Sequence, residues 1–70
     1  MNLIILNDKI KETKITETDI AEKLGISLRT LKLKLSGKKG FLVSEINSLS
    51  EILDLSYEEQ MYIFLDKRVT

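Results

Sequence analysis

The chain has 70 residues, 43% of them apolar and 31% charged, with no net charge and no Pro, Cys, His or Trp. That length allows one domain, 1–70, with a small shared core. The missing Cys and His exclude disulfide scaffolds, thiol nucleophiles, imidazole bases and the usual zinc ligands, so neither a metal nor a cofactor is expected. No apolar run approaches the roughly 20 residues of a membrane span, and Leu3-Ile4-Ile5-Leu6 is too short for a signal peptide. A folded cytoplasmic protein with no membrane partner is expected.

Three Gly, no Pro and abundant Leu, Ile, Lys and Glu favour helices. Five are predicted. Helix one covers 2–13, with Leu3, Leu6 and Ile10 on one stripe. The run Leu3–Leu6 would also suit a strand pairing with another chain, but the continued spacing to Ile10 favours helix. Thr16 reads as an N-cap with Asp19 in the reciprocal place of a capping box. Helix two follows over 17–24, with Ile20, Ala21 and Leu24 inward, and Gly25 ends it. Ser27 caps helix three, 28–36, which Gly37 closes. Leu28, Leu31 and Leu35 share one of its faces; Arg29, Thr30 and Leu33 take the other. Phe41-Leu42-Val43 reads as an apolar plug before Ser44, the expected cap of helix four, 45–54, with Ile46, Leu49, Ile52 and Leu53 at helical spacing. Ser56 and Glu59 form a capping box for helix five, 57–66.

Charge is unevenly spread along this plan. Residues 23–44 contain no acid and carry Lys23, Arg29, Lys32, Lys34, Lys38 and Lys39, a local charge of +6; the rest of the chain carries −6. Such a run is often only solvated surface. Uninterrupted through the middle of so short a chain, it is also the footprint expected for a polyanion partner.

The most informative segment is 16–37. It combines a short helix with Ala21 at its inner contact, a glycine turn, and a capped basic helix. A small residue lets two steeply crossing helices touch, and Gly25 permits the tight turn between them. Ile20, Leu24, Ile26 and Leu31 would lock the pair. This pattern reads as a helix-turn-helix.

Thr16 to Ser27, followed by Thr30-Leu31 and Leu35-Ser36-Gly37-Lys38, resembles the helix-turn-helix of the phage repressor and Cro family, the XRE-type regulators. The resemblance resumes at Phe41-Leu42-Val43-Ser44-Glu45-Ile46 and at Glu51 to Ser56. It implies a compact five-helix bundle of the lambda-repressor-like type, often dimeric, acting on operator DNA in a bacterial host cell, here as a stand-alone Cro-sized member. Carried over by position, the resemblance puts Ser27, Leu28, Arg29 and Leu33 at base-reading places. It puts Thr18, Thr30, Lys32, Ser36, Lys38 and Lys39 against the DNA backbone. Arg29 suits bidentate contact with guanine.

Four positions depart from the family pattern. Glu17 stands where a Gln commonly donates to phosphate, and a carboxylate there would repel phosphate unless it turned away. Ser36 replaces a common Asn. Leu28 and Leu33 replace polar residues. Leu28 is expected to join the core. Leu33 lies on the Arg29 face, where it could meet a thymine methyl or anchor a protein partner.

Two functions compete. One is a sequence-specific DNA-binding transcriptional regulator, repressor- or Cro-like, encoded by a phage or prophage. The other is a phage anti-repressor or repression modulator that keeps the fold and binds a repressor protein; neutrality, Glu17 and Leu33 favour it. Catalysis is not expected. There is no nucleophile–base pair or phosphate-cradling glycine loop, and Glu45, Glu51, Glu58 and Glu59 read as helix-surface acids. Tyr57, Met61, Tyr62, Phe64 and Leu65 exceed one helical stripe, so part of them must be exposed. Met61, Tyr62, Phe64 and Leu65 are the expected surface for a weak homodimer or a partner.

Overall fold

The computed structural model describes residues 1–65. Among them the chain is all-helical: α1 (Leu3–Thr13), α2 (Glu17–Leu24), α3 (Leu28–Leu35), α4 (Val43–Ile52) and α5 (Tyr57–Gln60), which runs directly into a π-helical turn, Met61–Leu65. Leu3–Leu6 is therefore helix rather than strand. The last residue of the predicted fifth helix lies outside the described residues.

Polar side chains set most helix starts. The Asn2 Oδ1 accepts the Ile5 N–H at 3.1 Å, and the Thr16 Oγ1 accepts the Asp19 N–H at 3.1 Å. The Ser27 Oγ accepts the Thr30 N–H at 3.0 Å. Each satisfies one N–H that the first helical turn leaves without a partner. At α5 the capping box is complete, with Glu59 accepting the Ser56 N–H and Ser56 accepting the Glu59 N–H. At α2 only the Thr16 half forms, and Asp19 does not return the bond.

Helix four starts earlier than the sequence suggests, at Val43 with Leu42 as the N-cap residue, so Ser44 is not the cap. Leu42 has no polar side chain to offer. The Glu45 carboxylate instead reaches back three residues and accepts the Leu42 N–H at 2.8 Å. The acidic half of a capping box thus fixes the start alone.

The exits share one device. At Gly25 (φ 75°), the Gly25 N–H bonds to the Glu22 carbonyl and the Ile26 N–H to the Ala21 carbonyl. These are the paired bonds of a Schellman motif, which needs a left-handed residue. Ser27, one residue on, already caps α3, so the connection is as short as its geometry allows. The same pair of bonds recurs at Gly37 (φ 85°), from Gly37 to Lys34 and from Lys38 to Leu33. A side chain at Gly37 would be strained by that φ and would also meet the Leu3 Cδ1 at 3.1 Å. Asp54 (φ 52°) closes α4 in the same way without being glycine.

The core is built from the predicted stripes. Leu6, Ile20, Leu31, Leu49 and Ile63 are fully buried, with Ile10, Ala21, Leu35, Leu53 and Leu55 close behind. Leu3, Leu24, Ile26, Ile52 and Phe64 are half-buried against them. α2 packs on both α3 and α4, and α1 packs on the terminal π turn.

Three expectations fail here. Leu42 and Val43 are 62% and 74% exposed, so only Phe41 of the supposed plug packs inward. Leu28 is 37% exposed, as exposed as Leu33, so it does not join Leu31 and Leu35 in the core. Glu45 is buried rather than a surface acid. On the last helix, Tyr57, Met61, Tyr62 and Leu65 are exposed, while Ile63, which the residue pattern did not single out, is fully buried. The Ile63 carbonyl also accepts the Asn2 N–H at 2.7 Å, so this one residue fixes both ends of the fold together.

Ile63→Ala should therefore cost about 2–5 kcal/mol in denaturant unfolding, whereas Tyr62→Ala should stay within about 0.5 kcal/mol. Equal losses in the two variants would mean that the π turn is not docked as described.

Candidate nucleic-acid interface

The outer face of α3 gathers several of the residues singled out in the sequence. Leu28, Arg29, Lys32, Leu33, Ser36 and Lys38 line one open groove. Leu28 and Leu33 supply its apolar floor; Arg29, Lys32 and Lys38 put three cations around it. Helical spacing explains the grouping. Positions 28, 32 and 36 succeed each other at four-residue steps, and 29 and 33 form the adjacent row. Lys38 joins them because the Schellman turn at Gly37 folds the chain back over the end of α3.

The other predicted contacts are placed differently. The Ser27 Oγ caps the Thr30 N–H and donates to the Thr30 Oγ1 at 2.9 Å, so both hydroxyls are engaged within the helix start. The Ser36 Oγ donates to the Leu33 carbonyl at 3.0 Å. Lys39 is exposed beside Lys38, and Thr18 is exposed on α2 without lining the groove. Met61, Tyr62 and Leu65 are exposed on the terminal turn, where Phe64 is half-buried.

Two of the six cations in the basic run are already paired. Lys32 Nζ lies 3.2 Å from Glu17 Oε1 with both side chains open to solvent. Glu17, the acid out of place for a phosphate neighbour, thus turns onto a lysine. Lys34 Nζ lies 2.6 Å from Glu45 Oε1, and here both side chains are buried, 4% and 8% exposed. Lys34 also donates to the Gly40 carbonyl at 3.0 Å and sits over the Phe41 ring, 5.7 Å from its centre. It is withdrawn from the surface and contributes to the loop, not to any outside partner. Its signal in the sequence was its position: 31, 34 and 35 form an inward stripe, and Lys34 stands in the middle of it.

Burial pushes the Glu45 carboxyl up, but the hydrogen bonds from Lys34 and the Leu42 N–H, with the charges of Lys34 and Lys39, outweigh it and hold the group below the ordinary carboxylate value. Elsewhere in the fold, between α1 and α5, Lys9 bonds to Glu59 at 2.7 Å. That bond, with the Ser56 N–H, holds the Glu59 carboxyl low. The same bond from Glu59 raises the Lys9 ammonium.

No protein-family model, curated protein or solved structure matches the chain. Among the described residues no group of three or more His, Cys, Asp or Glu could hold a metal ion, and no helix is long and apolar enough to cross a membrane.

The carboxyl directions fix a pH dependence. Both Glu45 and Glu59 bind a proton less readily folded than unfolded. The stability they contribute is present above the unfolded carboxyl value of about 4.3 and is lost as pH falls through the lower folded values. Lys34→Met leaves Glu45 buried without its cation and should cost about 3–5 kcal/mol at pH 7, much of which Lys34→Met with Glu45→Gln should recover. Urea unfolding of both variants from pH 7 down to 3 checks this. The double variant should show a shallower acid limb; an unchanged limb would show that Glu45 does not set it.

Proposed function

We propose that the protein is a sequence-specific DNA-binding regulator of the repressor and Cro type, with α2 and α3 acting as a helix-turn-helix in a lambda-repressor-like bundle. The observation that carries this reading is the outer face of α3. Arg29 and Lys32 on the helix and Ser36 and Lys38 just beyond it stand together there, with the helix start fixed by the Ser27 side chain and its end by the turn at Gly37. α3 would lie in the major groove, with Arg29 reading a base and Lys38 and Lys39 taking phosphates from the following loop. Leu33 would meet a thymine methyl. On a palindromic operator two copies would bind, held by Met61, Tyr62 and Leu65.

A second reading has its own observation. Leu28 is exposed, so two leucines, not one, floor the α3 groove. Two apolar residues ringed by three cations also suit an acidic, amphipathic helix of a protein partner such as a phage repressor. The single substitution Leu33→Gln separates the two readings, because it removes an apolar anchor without touching a cation.

The experiment is a selection of bound duplexes from random DNA, followed by titration at several salt concentrations. Neutralising Lys38 and Lys39 together should weaken all sequences alike and reduce the salt slope by about 2, whereas Arg29→Ala should relax discrimination at one base pair by about 1–3 kcal/mol. Selection of no sequence by the native chain would sink the DNA reading.

Leu33→Gln should change the preferred base while leaving non-specific affinity similar. If a repressor is the true partner, the same substitution should cost on the order of 2 kcal/mol of repressor binding and leave DNA behaviour unaltered. Melting of the variant should stay close to that of the native chain, since Leu33 is a surface residue.

A further inference from the structure

Two carboxylates reach into the basic run, and they do so in opposite ways. Glu45 holds Lys34 inside the protein, at 4% and 8% side-chain exposure, where no outside anion can take its place. Glu17 holds Lys32 on the surface, with side-chain exposures of 37% and 63%. A surface ion pair contributes little and is readily exchanged for another anion. Lys32 and Ser36 are shared by two depressions, the α3 groove with Arg29 and Lys38 and a smaller open cleft with Asn7, Glu17 and Leu35, and Lys32 is the charged one of the two. Its ammonium can therefore turn to Glu17 on one side or to a partner on the other.

We infer that Glu17 is an internal competitor for phosphate at Lys32, a residue that lowers the sequence-independent part of DNA affinity. The inference rests on the DNA-binding reading above and deepens it. In the free protein the Glu17 carboxylate occupies the lysine that a backbone phosphate would use. On binding, Lys32 exchanges one anion for another, which yields little net gain, and Glu17 is left without its cation in the field of the duplex. The penalty is the same for every sequence, because phosphates carry no sequence information. The contacts of Arg29 to bases are not touched by it. The ratio of specific to non-specific binding is then set at Arg29, while Glu17 lowers both by the same factor and makes them less salt-dependent.

Glu17→Gln tests this, with Lys32→Gln and the double variant completing the cycle. The probe is mixed-sequence double-stranded DNA, titrated between about 50 and 200 mM salt. Glu17→Gln should bind about 2–5-fold more tightly at the low-salt end, the range set by breaking one exposed ion pair. Its salt slope should steepen by about 0.9, because the cation released from the phosphate at Lys32 is no longer balanced by one taken up at the vacated Glu17 carboxylate. Lys32→Gln in the Glu17→Gln background should remove the gain. Circular dichroism of each variant confirms that α2 and α3 remain helical.

Native-like affinity and slope in Glu17→Gln would overturn the inference and leave the DNA reading standing. A gain that survives Lys32→Gln would overturn it too, because the effect would then be general charge and not release of Lys32. No binding by either the native chain or Glu17→Gln at about 50 mM salt would overturn both the inference and the DNA reading. Binding by Glu17→Gln where the native chain has none would support both.

Discussion

The connection between α3 and α4 depends on the pair formed by Lys34 and Glu45. Removing two charges from water costs several kcal/mol for each ion, and the pair recovers this only when the geometry is close and the remaining donors find partners. Both conditions hold here. The ammonium reaches Glu45 Oε1 at 2.6 Å and the Gly40 carbonyl at 3.0 Å, and it lies over the Phe41 ring. The same carboxylate oxygen accepts the Leu42 N–H at 2.8 Å. No buried side-chain polar atom among the described residues lacks a hydrogen-bond partner. One ion pair thus fixes the end of α3, the loop and the start of α4. The loop that carries Lys38 and Lys39 has fixed ends for that reason, and the groove on α3 has a defined rim.

Helix α1 braces this arrangement. α1 touches α3 through Asn7, whose amide donates to the Leu3 carbonyl at 2.8 Å and the Leu35 carbonyl at 3.3 Å. Leu3 sits beside Gly37, close enough that a methyl group there would lie 3.1 Å from the Leu3 Cδ1 and push it aside by a few tenths of an ångström. α1 in turn is held to the end of the chain by the bond from Asn2 to Ile63 and by the ion pair of Lys9 with Glu59. Apart from the bond of Asn7 to Leu3, each of these contacts joins residues far apart in sequence. Together they keep the back of α3 occupied while its outer face stays open.

The consequence for electrostatics is a smaller available charge than the sequence count suggests. Lys34 is spent inside, and Lys32 is shared with Glu17. Lys23, Arg29, Lys38 and Lys39 remain as exposed cations of the run, and three of these lie on α3 or just after it. A neutral protein with so local a positive face attracts a polyanion only when that face is presented.

Local chemistry is strong enough to be read in this sequence without neighbours. Thr16, Ser27 and Ser56 sit at helix starts because a side-chain oxygen there satisfies an N–H within three residues, and Gly25 and Gly37 sit at exits because the left-handed turn penalises a Cβ. The five helices, the stripes Leu6–Ile10 and Ile20–Ala21 and the short turn before α3 follow from such rules. The pattern was silent on everything settled at longer range. Leu28 has the spacing of a core residue, yet the core beneath α3 is filled by Leu31 and Leu35. Lys34 stands in an inward stripe, but only a contact across 11 residues supplies the Glu45 carboxylate that lets the two charges be buried together. Ile63 is one of several large apolar residues on its helix, and only docking against α1 selects it. Sequence alone determined the helices and their boundaries to within a residue or two, because caps and turns act over three or four positions. Which charges are spent inside and which leucines remain outside was decided by the tertiary structure, because burial depends on what another helix brings to the same place.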